Sequence, residues 1–325
     1  MKISDNALNV LAAKTYKGIG RAWIVKNLKG DDSATKIVTL LNESTKEVRP
    51  ITQIDFDSAR SRIRESIVKL AGHADGVVAI GDSDFPPYRG NVKNSDQPVA
   101  LFYRGDLSLL SKNRKNVAVI GLLNPDKETE IAEGEMVSKL VSCGATIVSG
   151  LALGCDTVGH RQALLSKGKT IAILPSPLNE ILPSENRRLA EEIVKNDGLL
   201  ITEYYEKAHS RMELSGRYQE RDRLQALFSD CVILAASYAK NDLGLDSGSR
   251  LAMEYASSYS IPRAVMYDPD KDLANQKYDL NRQLISEQIG IAVINRKNID
   301  LVVEKLVCSQ SRQPVKPVAQ ADLFG

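Results

Sequence analysis

The chain is 325 residues long and 43% hydrophobic, enough to bury a core in one large domain and a small one, so the composition excludes a disordered protein. Its 43 basic residues stand against 41 acidic ones, a net charge of +2, which excludes a global field for a polyanion and confines any nucleic-acid site to a local patch. Four scattered cysteines (Cys143, Cys155, Cys231, Cys308) and three histidines, with no CxxC pair, argue against a zinc site or a disulfide framework, and no cofactor is expected.

The opening residues, Met1-Lys2-Ile3-Ser4-Asp5, carry no apolar leader, and no apolar run approaches membrane-spanning length; the expected place is the cytoplasm, with no membrane partner. Residues 1–70 read as helical. Leu8, Val10 and Leu11 precede Gly18-Ile19-Gly20-Arg21, an amphipathic run covers Ser58–Leu70, and Lys36–Leu41 gives the only strand-like pattern in this stretch. Over residues 1–36 seven basic side chains face three acidic ones, which makes this the most basic local region.

From Gly76 the period changes. Val77–Ile80 and Val99–Tyr103 read as strands around the turn Phe85-Pro86-Pro87-Tyr88. Short apolar runs then alternate with helical stretches: Val117–Ile120, Thr146–Val148, Thr170–Leu174, Leu199–Ile201, Cys231–Leu234 and Arg263–Met266 as strands, with helices between them. That alternation predicts an α/β fold, a doubly wound, mostly parallel sheet. Residues 309–325 are rich in Ser, Gln and Pro until Ala321-Asp322-Leu323-Phe324 and read as a disordered tail.

In such sheets ligands sit beyond the carboxyl ends of the strands, so the strand-to-helix loops are the places to search. Ser149-Gly150-Leu151-Ala152-Leu153-Gly154-Cys155-Asp156 has two glycines and a hydroxyl, which suit an anion cradle and a tight structural loop about equally. Asp156 and His160 are four apart on the next helix, compatible with an acid–base pair and better with a helix cap beside a packed histidine. Ser247-Gly248-Ser249 at another helix start suits phosphate or plain capping. Asn186-Arg187-Arg188 enters a helix with two cations. Arg217 and Arg221 share a helical face with Tyr218 beside them, a stacking and phosphate surface unless Glu220 and Asp222 neutralise it. Gly168-Lys169-Thr170 lacks the leading glycine of a P-loop and precedes a strand, and Gly121-Leu122-Leu123 lacks a dinucleotide fingerprint. No nucleophile elbow appears, and no catalytic residue is expected.

In order along the chain, these segments resemble the DNA-processing protein A (DprA/Smf) family. The matches are Phe85-Pro86-Pro87-Tyr88, Ala100-Leu101-Phe102-Tyr103-Arg104-Gly105-Asp106, the Ser149–Asp156 loop with His160, Leu182-Pro183-Ser184-Glu185-Asn186, Arg221-Asp222-Arg223, Ser247-Gly248-Ser249 and Asn281-Arg282-Gln283-Leu284-Ile285. The resemblance implies a small helical domain of SAM or helix-hairpin-helix type over residues 1–70, an extended Rossmann-like DNA-binding domain over 71–308 and a tail over 309–325. It implies a non-catalytic homodimer that binds and protects single-stranded DNA and brings RecA recombinase to it during natural transformation. Carried onto this chain, it makes Gly121, Ser149, Gly150, Leu151, Gly154, Asp156, Asn186, Arg187, Arg217, Arg221, Arg223, Ser247, Gly248 and Ser249 the expected contacts to DNA or phosphate.

The chain departs from the family pattern at two places. The usual Gly-Ser-Arg after the first main strand is Gly121-Leu122-Leu123, so a cation at the pocket is missing unless Arg187 or Arg250 replaces it. The usual Arg-Asn-Arg is Arg221-Asp222-Arg223, with an added carboxylate. Gly18, Gly20 and Arg21 resemble a helix-hairpin-helix turn that binds phosphate. Gln320, Asp322, Leu323 and Phe324 resemble the short peptide that docks into the DNA sliding clamp. One alternative is an enzyme akin to the Lonely Guy phosphoribohydrolases, in which Glu254 would have to serve although their Gly-Gly-x-Gly-Thr-x-x-Glu spacing puts Leu251 at that position. Another is a mobile-element or antiviral protein that senses single strands on the same fold.

Overall fold

The computed structural model describes residues 1–240, 248–287 and 290–308. Ser247 and the clamp-like peptide Gln320–Phe324 lie outside the described residues, as does the whole 309–325 segment. The elements in chain order are β1 (Lys2–Ile3), α1 (Asp5–Ala13), α2 (Arg21–Asn27), α3 (Ala34–Ser44), α4 (Gln53–Val68), β2 (Gly76–Ala79), β3 (Ala100–Gly105), β4 (Asn116–Ile120), α5 (Lys127–Ser142), β5 (Thr146–Ser149) and α6 (Cys155–Leu165). They continue with β6 (Thr170–Ile173), α7 (Arg187–Lys195), β7 (Leu199–Thr202), α8 (Arg211–Leu227), β8 (Cys231–Leu234), α9 (Ser249–Ser258), β9 (Arg263–Met266), α10 (Pro269–Asp272), α11 (Asp279–Glu287), β10 (Ala292–Ile294) and α12 (Ile299–Cys308).

The ten strands form one sheet in the order β1-β2-β3-β7-β6-β5-β4-β8-β9-β10. Only β3 runs against its neighbours, pairing antiparallel with β2 and β7; the remaining pairs are parallel. The mostly parallel α/β sheet is therefore as expected. The central strands are buried on both faces, which is why they read as unbroken apolar runs. Alternate residues serve the two sides: Val117 and Val119 pack with α5, α6 and α12, while Ala118 and Ile120 pack with α8, α9 and α11.

From β4 the chain steps outward through β5, β6 and β7, then α8 carries it back to β8 on the other flank of β4. The order reverses at β4, and the crevice beyond its carboxyl end is the topological switch point of the sheet.

Two local expectations fail. Lys36–Leu41 lies inside α3, not in a strand: Ser33 caps that helix by accepting from the Lys36 amide, and Ile37 and Leu41, four apart, are buried on one face. Lys2–Ile3, within the stretch read as helical, is an edge strand beside β2. The helices of residues 1–70 share one apolar cluster with β2, β3 and α7, through Leu8, Phe56, Phe102 and Leu189 among others.

A buried ionic network fastens this helical region to the sheet. The Arg223 guanidinium, 1% exposed, pairs with Glu203 and with Glu220 (3.2 Å) and donates to the Asp96 carbonyl (2.8 Å). Arg21, at the start of α2, pairs with the same Glu220 and donates to the Ser95 carbonyl (3.3 Å). A charge so enclosed is tolerated only while its partners remain. Arg223→Ala is expected to destabilise the fold by about 3–5 kcal/mol in urea denaturation, because it leaves the buried Glu203 carboxylate with only Arg21, 4.0 Å away. A loss under about 1 kcal/mol would mean the network is solvated.

Candidate nucleic-acid interface

The loop between β5 and α6 turns back sharply over the sheet. Leu151 has φ of 59° and Gly154 φ of 72°, left-handed backbone that is costly for leucine and persists only under restraint from around it. Three side chains supply that restraint. Asn186, from the turn before α7, donates to the carbonyls of Leu151 (2.9 Å) and Ala152 (3.1 Å) and to Thr157 Oγ1 (2.8 Å). Asp156 accepts from the amides of Gly150 (3.1 Å) and Ala152 (3.2 Å). Arg221, from α8, donates through Nη1 to the Gly150 carbonyl (2.8 Å). A methyl group at position 150 would lie 2.0 Å from that Nη1, so only glycine lets the guanidinium reach the loop.

Arg221 is 8% exposed, and its Nη2 donates to Asp222 Oδ1 at 3.1 Å. Burial opposes its charge, but Asp222 and Asp156 together hold it above its ordinary value. Burial also raises the Asp222 carboxyl to about 6, although Arg221 pulls it back down.

These residues meet around a cavity of about 400 Å³ at the switch point. Its walls come from the ends of β4 (Ile120, Gly121, Leu123), from the loop (Ala152, Leu153, Asp156), from Pro183, from α8 (Tyr218, Arg221, Asp222, Gln225) and from the start of α9 (Gly248, Ser249). Of the residues expected from the sequence, Gly121, Asp156, Arg221, Gly248 and Ser249 line it. Ser249 Oγ donates to the Gly121 carbonyl (3.1 Å), which joins two of the predicted loops.

Others are brought close but turned to a different task. Ser149 is fully buried and donates to the Val119 carbonyl (2.7 Å). Arg217 is held by Glu213 (2.6 Å) and the Glu206 carbonyl (2.7 Å), and its guanidinium stacks 4.1 Å from the Tyr204 ring centroid. Arg223 and Arg21 belong to the ionic network described above. Gly18 and Gly20 lie in the α1–α2 connection, away from the cavity walls. Arg250 pairs with Glu254 on α9, and neither lines the cavity. Arg187 is exposed, stands next to Asn186 at the start of α7, and has no ion-pair partner among the described residues. At the rim, the amides of Leu153 and Gly154 donate to no group among the described residues, immediately ahead of α6.

The spacing of Asp156 and His160 does not make an acid–base pair. Asp156 is spent on the loop, and α6 starts one residue before it behind Gly154, so it is not the cap either. His160 is fully buried. Thr170 donates its hydroxyl to the Ile147 carbonyl (2.9 Å), so His160 Nδ1–H is the donor in their 2.7 Å contact and Nε2 is left without a donor among the described residues. Gln225 and Leu153 were not foreseen as site residues. Gln225 is one helical turn from Arg221, a signal the sequence does carry; Leu153 lies within the Ser149–Asp156 loop that the sequence singles out.

The sequence profile described as "DNA recombination-mediator protein A" matches residues 76–305. The chain belongs to this family. It is 29% identical over 184 residues to the DNA processing protein DprA of Bacillus subtilis, covering 54% of this chain and 59% of that protein. It is 32% identical over 171 residues to its namesake from Streptococcus pneumoniae, covering 53% and 58%. The chain thus spans about three fifths of the length of these curated relatives. The X-ray structure of the Streptococcus pneumoniae protein superposes with a TM-score of 0.68 at 24% identity over 93% of this chain and 98% of that one, a likeness of fold. A Helicobacter pylori DNA processing protein A, described for its single-stranded DNA binding mode, gives 0.54 at 27% identity over 69% of this chain and 97% of that one. Among the described residues no helix is long and apolar enough to cross a membrane.

The buried histidine makes the fold sensitive to acid. Burial, with the Arg221 charge nearby, pulls the His160 imidazole from 6.5 down to about 3. The unfolded chain takes up that proton first, so the stability the neutral ring provides is present above pH 6.5 and is lost as pH falls toward 3. Between pH 7 and pH 5 the loss is about 2 kcal/mol. Asp222 acts in the opposite sense: with its carboxyl raised to about 6, the folded state gains stability as pH falls through that value. Comparing wild type with His160→Gln separates the two. In urea denaturation at pH 7 and pH 5 the variant should lose about 2 kcal/mol less than wild type; an identical pH dependence would mean that the ring is solvated.

Proposed function

We propose that this chain binds single-stranded DNA across the mouth of the switch-point cavity, protects it, and presents it to RecA recombinase as a non-catalytic homodimer. The observation that carries the reading is the braced loop. Asn186, Asp156 and Arg221 fix it so that the Leu153 and Gly154 amides, at the amino terminus of α6, remain available as donors. A phosphate there meets oriented N–H groups and the positive end of a helix, and the exposed Arg187, next to Asn186, is the cation assigned to it. Family membership and the single-stranded DNA described for the Helicobacter pylori relative support the choice of ligand.

In this reading the expected contacts divide by task. Gly154 and Arg187 touch phosphate. Ser149, Gly150, Leu151, Asp156, Asn186 and Arg221 set the loop, while Arg217 and Arg223 hold α8 in place. Arg187, rather than Arg250, replaces the cation absent at Leu123, because Arg250 is spent on Glu254. The same pairing weighs against a phosphoribohydrolase, since Glu254 does not face the cavity.

Binding of a labelled oligonucleotide across a salt series tests this. Wild type should bind at low salt, with a steep loss of affinity as salt rises. Arg187→Ala should weaken binding and reduce the slope by about one unit, with urea stability unchanged. Absence of binding at low salt, or an unchanged slope in the variant, would overturn the assignment.

A further inference from the structure

Away from the switch point, α5 and α6 lie side by side with an open groove of about 440 Å³ between them. Ile131, Gly134 and Ser138 of α5 form one wall, and Val158, Arg161 and Leu165 of α6 the other. Leu165 is 76% and Ile131 44% exposed, large apolar side chains left in water along one depression.

The floor of the groove carries an unforced glycine. Gly134 sits midway along α5, where glycine is disfavoured relative to alanine. Helix packing does not require it, because a methyl group at this position would meet only Gln162, no closer than 3.5 Å. The missing side chain keeps the floor open.

The charges along the groove are settled but for one. Lys127 pairs with Glu130 (3.1 Å) and Glu135 with Arg296 (2.7 Å). Arg161 is exposed and has no ion-pair partner among the described residues. The groove therefore fits a short apolar segment that brings one carboxylate with it.

The chain holds such a segment outside the described residues, Ala321-Asp322-Leu323-Phe324. Its point of departure is near. Glu135 faces Arg296 and Lys139 faces Asp300 (2.6 Å), a step of four on each side, so α12 runs along α5 in the same direction. Val307 and Leu140 share one apolar cluster, and α12 ends at Cys308 beside the carboxyl end of α5. Only the width of α5 separates that point from the groove. A helix is about 10 Å across and an extended residue spans about 3.3 Å, so residues 309–320 cover the distance with length to spare.

We propose that Leu323 and Phe324 seat in the α5–α6 groove over Gly134, with the Asp322 carboxylate on Arg161, so that residues 309–325 dock onto their own chain. The segment is then tied to the same helix whose amino terminus forms the rim.

The test titrates a fluorescein-labelled peptide of residues 316–325 with the full chain and follows its anisotropy. In wild type the linked segment holds the groove at an effective concentration on the order of millimolar, so the free peptide should bind weakly. Leu323→Ser with Phe324→Ser in the chain frees the groove, and the peptide should bind that variant about tenfold more tightly. In the same background Gly134→Leu, which fills the floor, and Arg161→Glu, which reverses the charge, should each weaken binding several-fold. A peptide carrying Asp322→Lys should recover the binding lost in Arg161→Glu. Urea denaturation checks that each variant is folded. Equal binding to wild type and the double variant, or binding to neither, would overturn the proposal. Binding indifferent to Gly134→Leu and Arg161→Glu would put the peptide elsewhere and overturn the groove. A difference between wild type and the double variant that appears only as protein concentration rises would mean that the segment seats on a second copy, and would overturn docking within one chain.

Discussion

Arg221 joins three parts of the sheet's carboxyl edge at one buried guanidinium. It reaches from α8 to the Gly150 carbonyl, lies 3.9 Å from Asp156 and pairs with Asp222. Removing a guanidinium from water costs several kcal/mol, so the arrangement persists only because its partners sit at fixed positions. That requirement propagates outward. Gly150 must lack a side chain, Leu151 must adopt a positive φ, and Asn186 must hold the far side of the loop. The direction of α6, and with it the placement of the rim amides, follows from the same set of bonds. Position 221 thus fixes the loop from within the protein.

The network around Arg223 does for the fold what Arg221 does for the loop. Two arginines separated by a single residue on one helix point to opposite tasks, one into the cavity wall and one toward the helical region of residues 1–70 through Glu220 and Arg21. The intervening Asp222 belongs to the cavity as well. One turn of α8 therefore couples the small helical region, the loop and the pocket.

The central strands were legible because a parallel strand buried on both faces leaves a short apolar run, and Val117–Ile120, Thr146–Val148 and Cys231–Leu234 all do. Lys2–Ile3 was not, since a two-residue edge strand has no room for a pattern. Lys36–Leu41 misled because Ile37, Val38 and Thr39 are β-branched, whereas the Ser33 cap and the buried face of α3 decide the outcome. At the site, the loops were legible from glycine spacing but the tasks of the arginines were not. The partners of Arg221 and Arg223 include the carbonyls of Gly150 and Asp96, 71 and 127 residues away. No local pattern reports whether a surface-looking Arg-Asp-Arg triplet is solvated or enclosed.

The two departures from the family pattern read differently once placed in space. As sequence, Leu123 and Asp222 look like losses of positive potential. In the structure both face the same cavity, one as an apolar lip and the other as an acceptor in its wall. The exposed cation Arg187 and the enclosed carboxylate Asp222 therefore stand in different surroundings. Under the proposed function, phosphate is held at the rim, where water and salt still screen it. Inside the cavity, the Asp156 and Asp222 carboxylates oppose a second anion, so the attachment proposed for this chain is confined to the rim and stays independent of sequence.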